Sequence, residues 1–107
     1  MKSTLTIALF AAVLAVAPAH AEGNAEAGKA KSTACAAGHG PDGNSTSSMF
    51  PKLAGQHRDY LLQALKSYKS GKRKNAIMNG QAANLSETDM ADLAAYFGSR
   101  QGLATKY

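Results

Sequence analysis

Valine is missing from residues 22–107, and isoleucine occurs there once, at Ile77. Tryptophan is absent from the whole chain, and Cys35 is its single cysteine. Because β-branched residues favour strands whereas Ala, Leu, Lys and Gln favour helices, this composition predicts an all-α fold. A lone cysteine excludes a disulfide within the chain. A domain of fewer than about 100 residues then commonly needs a metal or cofactor to complete its core.

The main hydrophobic run, residues 5–16, is shorter than the roughly 18 to 20 residues that cross a bilayer. It follows Lys2 and precedes Ala19-His20-Ala21, which has the small-x-small form of a signal-peptidase site. We interpret residues 1–21 as a cleavable secretory signal peptide and residues 22–107 as one exported domain. The formal charge of the chain is +5, of which Lys2 contributes one, so the exported domain is moderately basic. We expect it to be periplasmic, soluble and monomeric.

The pattern Cys35-Ala36-Ala37-Gly38-His39 differs at one position from C-x-x-C-H. In that element two cysteines form thioether bonds to haem and the histidine ligates its iron. Gly38 stands where the second cysteine would be, so only one thioether can form. On a helix, Cys35 and His39 lie about 6 Å apart along one face, which lets one tether and one ligand meet the same macrocycle. The alternatives are that Cys35 is a buried apolar residue or a free thiol, and that His39 only caps a helix.

Two helices are predicted in the first part of the exported domain. One runs from residue 24 or 25 to residue 37 and ends at Gly38, which places Cys35 and His39 one turn apart. Residues 38–51 contain three glycines, two prolines and a cluster of Ser and Thr, and predict a loop. The second helix covers residues 58–70, carries an apolar stripe and ends at Gly71.

The later part predicts one long helix and one shorter segment. Residues 76–84 are a short helix or an irregular turn that presents Ile77 and Met78. Ser86, with Asp89 three residues later, forms a capping-box pattern that opens a helix ending near Gly98. Its apolar residues recur at the helical spacing: Met90, Leu93, Ala94 and Phe97. Met90 is interpreted as ordinary core, and so is Met49.

Several short motifs follow one another along the chain. They are Gly28 in the first helix, the Cys35 to His39 element, His-Gly-x-Asp-Gly-Asn at 39–44, Phe-Pro-Lys-Leu-Ala-Gly-Gln at 50–56, Gly-Lys-Arg-Lys-Asn-Ala-Ile-Met at 71–78, and Leu-Ser-x-x-Asp-Met-Ala-Asp-Leu-Ala-Ala-Tyr-Phe at 85–97. Together they closely resemble class I cytochromes c, nearest to small bacterial monohaem c-553 proteins and to each half of dihaem cytochrome c4. The resemblance implies three to four helices around one haem, with the N- and C-terminal helices crossing at Gly28 and Tyr96.

The resemblance also implies a role for individual residues. His39 would be the proximal iron ligand and Met78 the distal one, while Cys35 would carry the thioether bond to haem c. Pro51 would accept a hydrogen bond from the ligand histidine through its carbonyl and so fix the orientation of the ring. Gly38 departs from the attachment element of the family, which leaves one haem vinyl group untethered and puts covalent attachment in doubt.

The function that the resemblance implies is that of an electron carrier, not an enzyme. A His/Met-ligated haem in an apolar pocket favours one-electron transfer. The partners would be redox proteins such as membrane oxidase or reductase complexes. The basic turn Lys72-Arg73-Lys74 would steer acidic docking patches, although such a run is also typical of a solvated face. Nucleic acid is not expected, because the charge is modest and lacks interleaved aromatic residues.

Two other hypotheses remain open from the sequence. One is a haem-deficient variant that acts as a helical binding module, or as a thiol protein in which Cys35 pairs between chains. The other is a haem protein that uses His39 and Met78 without any thioether bond. Gly38 motivates both, because it removes one of the two attachment points.

Overall fold

The computed structural model describes residues 3–4 and 23–102. The predicted signal peptide, residues 1–21, lies outside these ranges apart from Ser3 and Thr4, and stays a prediction. The described residues are all-helical and without strands, as the sequence predicts. No helix among them is both long and apolar enough to cross a membrane. The helices are α1 (Ala25–Lys31), α2 (Thr33–His39), α3 (Arg58–Ser70), α4 (Ala76–Ala83) and α5 (Glu87–Ser99).

Helices α1 and α5 cross in direct contact. They approach closely because Gly28 has no side chain. A Cβ at this position would lie 2.7 Å from the Cβ of Tyr96, and nearer still to the backbone carbonyl of Asp92. The predicted crossing of the first and last helices at Gly28 and Tyr96 is therefore confirmed.

A buried carboxylate stabilises the same crossing. Asp92 is 1% exposed, and its two oxygens accept hydrogen bonds from the Asn24 backbone N–H at 2.8 Å and from Lys31 Nζ at 2.6 Å. Lys31 also pairs with Asp89 at 3.0 Å, and hydrogen bonds to these two carboxylates raise the pKa of the lysine. A buried charge is stable only when it is paired and hydrogen-bonded in this way.

The hydrophobic core lies between α3 and α5. Its buried members are Leu61, Leu93, Ala94, Tyr96 and Phe97, and Cys35 and Leu53 pack against them. Met90 is 2% exposed, which confirms that it is ordinary core, whereas Met49 is 82% exposed and its interpretation as core is wrong. Helix α5 supplies most of the core and packs against both α1 and α3, while α4 packs against α3.

The predicted first helix is interrupted at Ser32, which separates α1 from α2. Both the hydroxyl and the backbone N–H of Ser32 donate to the carbonyl of Lys29, at 2.7 and 3.2 Å. Such local serine bonds compete with the regular helical ladder. In addition, α2 continues to His39, and Gly40, with φ at 85°, caps it. The prediction of one helix that ends at Gly38 is wrong for these two reasons, but α2 keeps the cysteine and the histidine one turn apart.

Helices α3 and α5 follow the sequence signals closely. Helix α3 ends where Gly71 adopts a left-handed conformation with φ at 82°. At the start of α5, Ser86 Oγ accepts from the Asp89 N–H at 3.0 Å while the Asp89 carboxylate accepts from the Ser86 N–H at 2.9 Å. The capping box is thus confirmed, and the helix ends at Ser99, one residue after the predicted Gly98.

The loop between α2 and α3 folds back on itself at Gly43. The carbonyl of Gly43 accepts hydrogen bonds from the N–H groups of Leu53 and Ala54, at 2.8 and 3.2 Å. Gly43 has a φ of 84°, and a Cβ there would lie 2.8 Å from the Ala54 nitrogen, so glycine is required. This turn brings residues 50–53 next to the C-terminal end of α2.

Candidate cofactor site

A cavity of about 470 Å³ opens between α2, α3, α4, α5 and the loop after α2. This volume is within the range of roughly 300–1,000 Å³ that is typical of ligand and cofactor pockets. Cys35, His39, Pro51 and Met78, the residues that the sequence predicts to hold a haem, all line it. The apolar part of the wall consists mainly of Leu53, Leu61, Leu65, Leu93, Ala94 and Phe97.

His39 forms one wall of the cavity at the end of α2. It is 8% exposed, and its Nδ1 lies 2.7 Å from the carbonyl oxygen of Pro51. Since a carbonyl can only accept, Nδ1 carries the proton and Nε2 keeps a lone pair for a metal. The ring of Phe50 meets the imidazole edge-on, with centroids 6.1 Å apart and planes at 77°. Both contacts fix the orientation of the ring.

Cys35 lies one helical turn before His39, half-buried against the core. Burial raises the pKa of its thiol. The thiol therefore stays protonated over a wider pH range than an exposed cysteine, and thiolate reactivity is correspondingly suppressed. An environment of this kind does not favour a redox-active surface thiol.

Gly38 lies directly against the ring of Phe50. A Cβ at position 38 would be 2.7 Å from Cδ1 and 2.9 Å from Cε1 of that ring. Any side chain here requires the ring to shift. The obstacle is a side chain and not backbone, so a small rotation of Phe50 can relieve it.

Met78 enters the cavity from the first turn of α4, where it is half-buried. The side chain of Asn75 caps this helix, because its Oδ1 accepts from the Met78 N–H at 3.0 Å. Of the two forms predicted for residues 76–84, the helical one is confirmed, with its end at Ala83.

These residues fit a haem. An imidazole nitrogen and a methionine sulfur are a known axial pair for haem iron, and the porphyrin supplies the remaining ligands. The apolar wall suits the flat macrocycle, and Cys35 is in the same cavity as both candidate ligands. The second position of the attachment element, Gly38, offers no sulfur.

The outer rim of the cavity was predicted only in part, because the sequence indicated Ile77 beside Met78 but did not place Tyr60 or Arg73 at the cavity. Tyr60 and Ile77 line it while 51% and 60% exposed, and Arg73 lines it as well. The Arg73 guanidinium lies 4.9 Å from the centroid of the Tyr68 ring and 3.4 Å from the Tyr60 hydroxyl. A signal was present for Tyr60, since it is four residues before Ala64, which also lines the cavity. Arg73 was predicted only as part of the basic turn, and its place on the rim depends on contacts made after folding.

The sequence of residues 25–101 matches the cytochrome c family. The chain belongs to the cytochrome c family. It is a class I c-type cytochrome, and its cofactor is haem c with its iron. The all-helical cytochrome c fold predicted from the sequence is thereby confirmed, with five helical segments described where three to four were expected, because Ser32 divides the first.

Curated relatives of this cytochrome c domain differ in length. Cytochrome c4 of Pseudomonas aeruginosa is 53% identical over 83 residues, which are 78% of this chain but 41% of that protein. Cytochrome c-554(548) of Halomonas halodenitrificans is 42% identical over 82 residues, 74% of this chain and 99% of that protein. The chain thus spans less than half of the cytochrome c4 relative and almost all of the shorter one.

Among solved structures, the domain resembles reduced recombinant cytochrome c4 from Pseudomonas stutzeri. The TM-score is 0.72 at 46% identity, and the match covers 76% of this chain and 47% of the other. This chain therefore matches the fold of about half of that protein.

Proposed function

We propose that the chain is a periplasmic one-electron carrier in which His39 and Met78 ligate the haem iron and Cys35 forms the single thioether bond. The observation that carries this proposal is that all three side chains line one cavity, although they come from α2 and α4, about 40 residues apart in sequence. Membership of the cytochrome c family supports electron transfer in general.

The haem supplies a one-electron couple between ferrous and ferric iron when it is bound. His39 would bind the iron through Nε2, because the hydrogen bond from Nδ1 to the Pro51 carbonyl sets the tautomer and makes the ring a better donor. Met78, on α4, would supply the sulfur ligand. The buried wall of α5 would exclude water from a bound haem, and a His/Met pair in such surroundings would raise its reduction potential.

Cys35 is the only covalent attachment point that this site offers. It is placed on the same helix as His39, so tether and ligand act on the same side of the site. Since Gly38 offers no sulfur, the rest of the macrocycle would be held by packing against the apolar wall. Cys35 would then keep the haem with the protein even if Met78 or His39 left the iron.

Electron exchange would take place at the exposed rim, where Tyr60, Ile77 and Arg73 surround the opening of the cavity. The basic turn at residues 72–74 lies beside it and is exposed. It would attract acidic patches on redox enzymes and raise the rate of encounter. Two further relatives are named a thiosulfate dehydrogenase electron acceptor and a cytochrome subunit of sulfide dehydrogenase, which supports redox enzymes as the partner class.

The test is the intact mass and the visible spectrum of the protein collected from the periplasmic fraction. A covalent haem adds its own mass to a polypeptide that begins at Glu22. The pyridine haemochrome band should lie between those of doubly tethered and untethered haem. Acidified solvent should leave the haem on the protein.

Other outcomes contradict particular parts of the proposal. Haem that is extracted by acidified solvent and transferred to apo-myoglobin would show that His39 and Met78 hold it without a thioether bond. A colourless protein that runs as a reducible dimer on a non-reducing gel would support the haem-deficient thiol protein instead. Retention of residues 1–21 in the recovered protein would contradict the signal peptide.

A further inference from the structure

We propose that Asn79 is a positioning residue that determines how firmly Met78 is held at the iron. The inference rests on the proposed function, in which Met78 is a ligand. Asn79 follows Met78 directly, and every hydrogen bond of its side chain goes to the backbone of residues before or at the start of α4.

The first contact joins Asn79 to Asn75 around the backbone of Met78. Asn75 Oδ1 accepts from the Met78 N–H and Asn79 Oδ1 accepts from the Asn75 N–H, both at 3.0 Å. The Asn79 N–H in turn donates to the Asn75 carbonyl at 2.8 Å. N–H groups at the start of a helix lack intrahelical partners, and the two asparagine side chains satisfy two of them. The backbone N–H groups of Asn75 and Met78, at the start of α4, are therefore both hydrogen-bonded to asparagine side chains.

The second set of contacts connects α4 to the segments before it. Asn79 Nδ2 lies 2.8 Å from the carbonyl oxygen of Tyr68 and 2.9 Å from that of Arg73. Tyr68 is in the last turn of α3, where its carbonyl also accepts from the Gly71 N–H at 3.3 Å, and Arg73 is in the turn between the two helices. One amide group thus uses both protons to hold α4 against α3 and against that turn.

Little apolar packing assists these bonds. Helix α4 has eight residues, of which only Ala82 is buried. Helices of this length are marginal in water by themselves, and burial of an alanine contributes far less than burial of a leucine. Gly80 lies in its middle and lowers its stability further. The Asn79 bonds are consequently a large share of what keeps the helix, and Met78 with it, in place.

The groups that Asn79 binds are themselves fixed to α3. The Arg73 N–H donates to the Ser67 carbonyl at 3.1 Å, and the Arg73 guanidinium covers the Tyr68 ring. Loss of Asn79 would therefore release α4 and leave the turn in place. A released α4 lets Met78 leave the iron more often, so an added ligand should replace it more easily.

The experiment titrates the ferric holoprotein with imidazole, which competes with Met78 for the iron. Displacement is followed by the loss of the long-wavelength absorption of methionine-ligated ferric haem. Asn79→Ala removes all the side-chain bonds and should bind imidazole about tenfold more tightly than the wild type, a change of about 1.4 kcal/mol. Asn79→Asp keeps the size of the side chain and its acceptor oxygen. It places a second oxygen opposite the carbonyls of Tyr68 and Arg73, which repel it. The affinity of this variant for imidazole should therefore rise at least as much.

The matched control is Asn84→Ala, at the other end of α4. Asn84 is exposed, and its side chain makes no hydrogen bond within the part of the chain that the structure describes. This variant should bind imidazole as the wild type does. Should Asn79→Ala fail to fold, Asn79→Ser, which keeps a small polar side chain, supplies the measurement.

Unfolding by denaturant separates positioning from a general structural role. If the Asn79 variants unfold more easily but bind imidazole with wild-type affinity, the positioning role is wrong. Met78→Ala tests the premise separately, because it should abolish the long-wavelength band. If that band survives, Met78 is not the ligand and the proposal for Asn79 fails with it. A protein that is isolated without haem would overturn both proposals as well. If the band is lost in Met78→Ala while the Asn79 variants behave as the wild type, only the positioning role is overturned.

Discussion

His39 donates the proton of Nδ1 to the backbone carbonyl oxygen of Pro51 across 2.7 Å. The acceptor belongs to the main chain, so the bond depends on the path of the loop and not on the side chain at position 51. That path is fixed by the turn at Gly43, whose carbonyl accepts from two N–H groups of residues 53 and 54. The orientation of the proposed iron ligand is therefore a property of the loop as a whole.

The first prediction concerns Pro51→Ala. This change keeps the carbonyl acceptor, so the spectrum of the ligated haem should be unchanged. The free energy of unfolding should fall by about 0.4–1 kcal/mol, because the unfolded chain gains conformational freedom. Visible spectra and denaturant titrations of the holoprotein measure the two effects. A loss of histidine ligation would show that the proline ring itself positions the carbonyl.

The second prediction concerns Gly38→Cys. A cysteine here can form the missing thioether bond once Phe50 has moved away from the 2.7 Å approach to the new Cβ. We expect more haem per polypeptide and a haemochrome band shifted to the position of doubly tethered haem. Gly38→Ser is the matched control, since it demands the same movement of Phe50 but forms no thioether. Equal haem content in the two variants would mean that packing, and not the second tether, limits loading.

The third prediction compares two glycines in helices. Gly28→Ala forces a Cβ to within 2.7 Å of Tyr96 Cβ at the α1–α5 crossing, whereas a Cβ at Gly80 meets nothing within 4 Å. Gly28→Ala should destabilise the fold by about 1–3 kcal/mol through overpacking. Gly80→Ala should stabilise it by about 0.5–1 kcal/mol, because alanine loses less backbone entropy in a helix. Denaturant unfolding of both variants gives the comparison, and changes of the same sign would contradict it.

The fourth prediction concerns acid stability. Hydrogen bonds from the Ser86 N–H and from Lys31 lower the pKa of Asp89 from 3.8 to about 2. Because the folded state has the lower pKa, this carboxylate stabilises the fold fully above about pH 4, and the contribution is lost as the pH falls through 2. Asp89→Asn should therefore lose less stability than the wild type between pH 4 and pH 2.

Unfolding free energies measured at several pH values across that interval test this expectation. Asp59→Asn is the control, since the Asp59 side chain is 96% exposed. It should follow the wild-type profile. A parallel profile for Asp89→Asn would mean that other carboxylates govern acid unfolding.

Local signals explain why α3 and α5 could be predicted well. Gly71 stops α3 through a backbone conformation that favours glycine, and Ser86 and Asp89 start α5 through bonds made within four residues. The break at Ser32 was not predictable in the same way. A serine inside a helix can leave its regular bonds intact or compete with them, and here its two bonds to the Lys29 carbonyl prevail.

The site was predictable to the extent that its residues belong to the motifs of a known family. Cys35, His39, Pro51 and Met78 lie on one cavity as expected, but spacing alone could not have connected Met78 to His39. The role inferred for Asn79 depends on a carbonyl eleven residues earlier in the chain. No periodic pattern encodes such a contact, because it forms only when α4 folds back on α3.

Helix α5 lines the cavity with some of its residues and packs against α1 with others. Leu93, Ala94 and Phe97 form a wall of the cavity, while Asp92 and Tyr96 meet α1. Occupation of the cavity and pairing of the outer helices are therefore thermodynamically linked, and a cofactor that binds only the folded chain strengthens both. Amide hydrogen exchange in α1, which does not line the cavity, should therefore slow when the cofactor is inserted, and that helix becomes a reporter of cofactor retention.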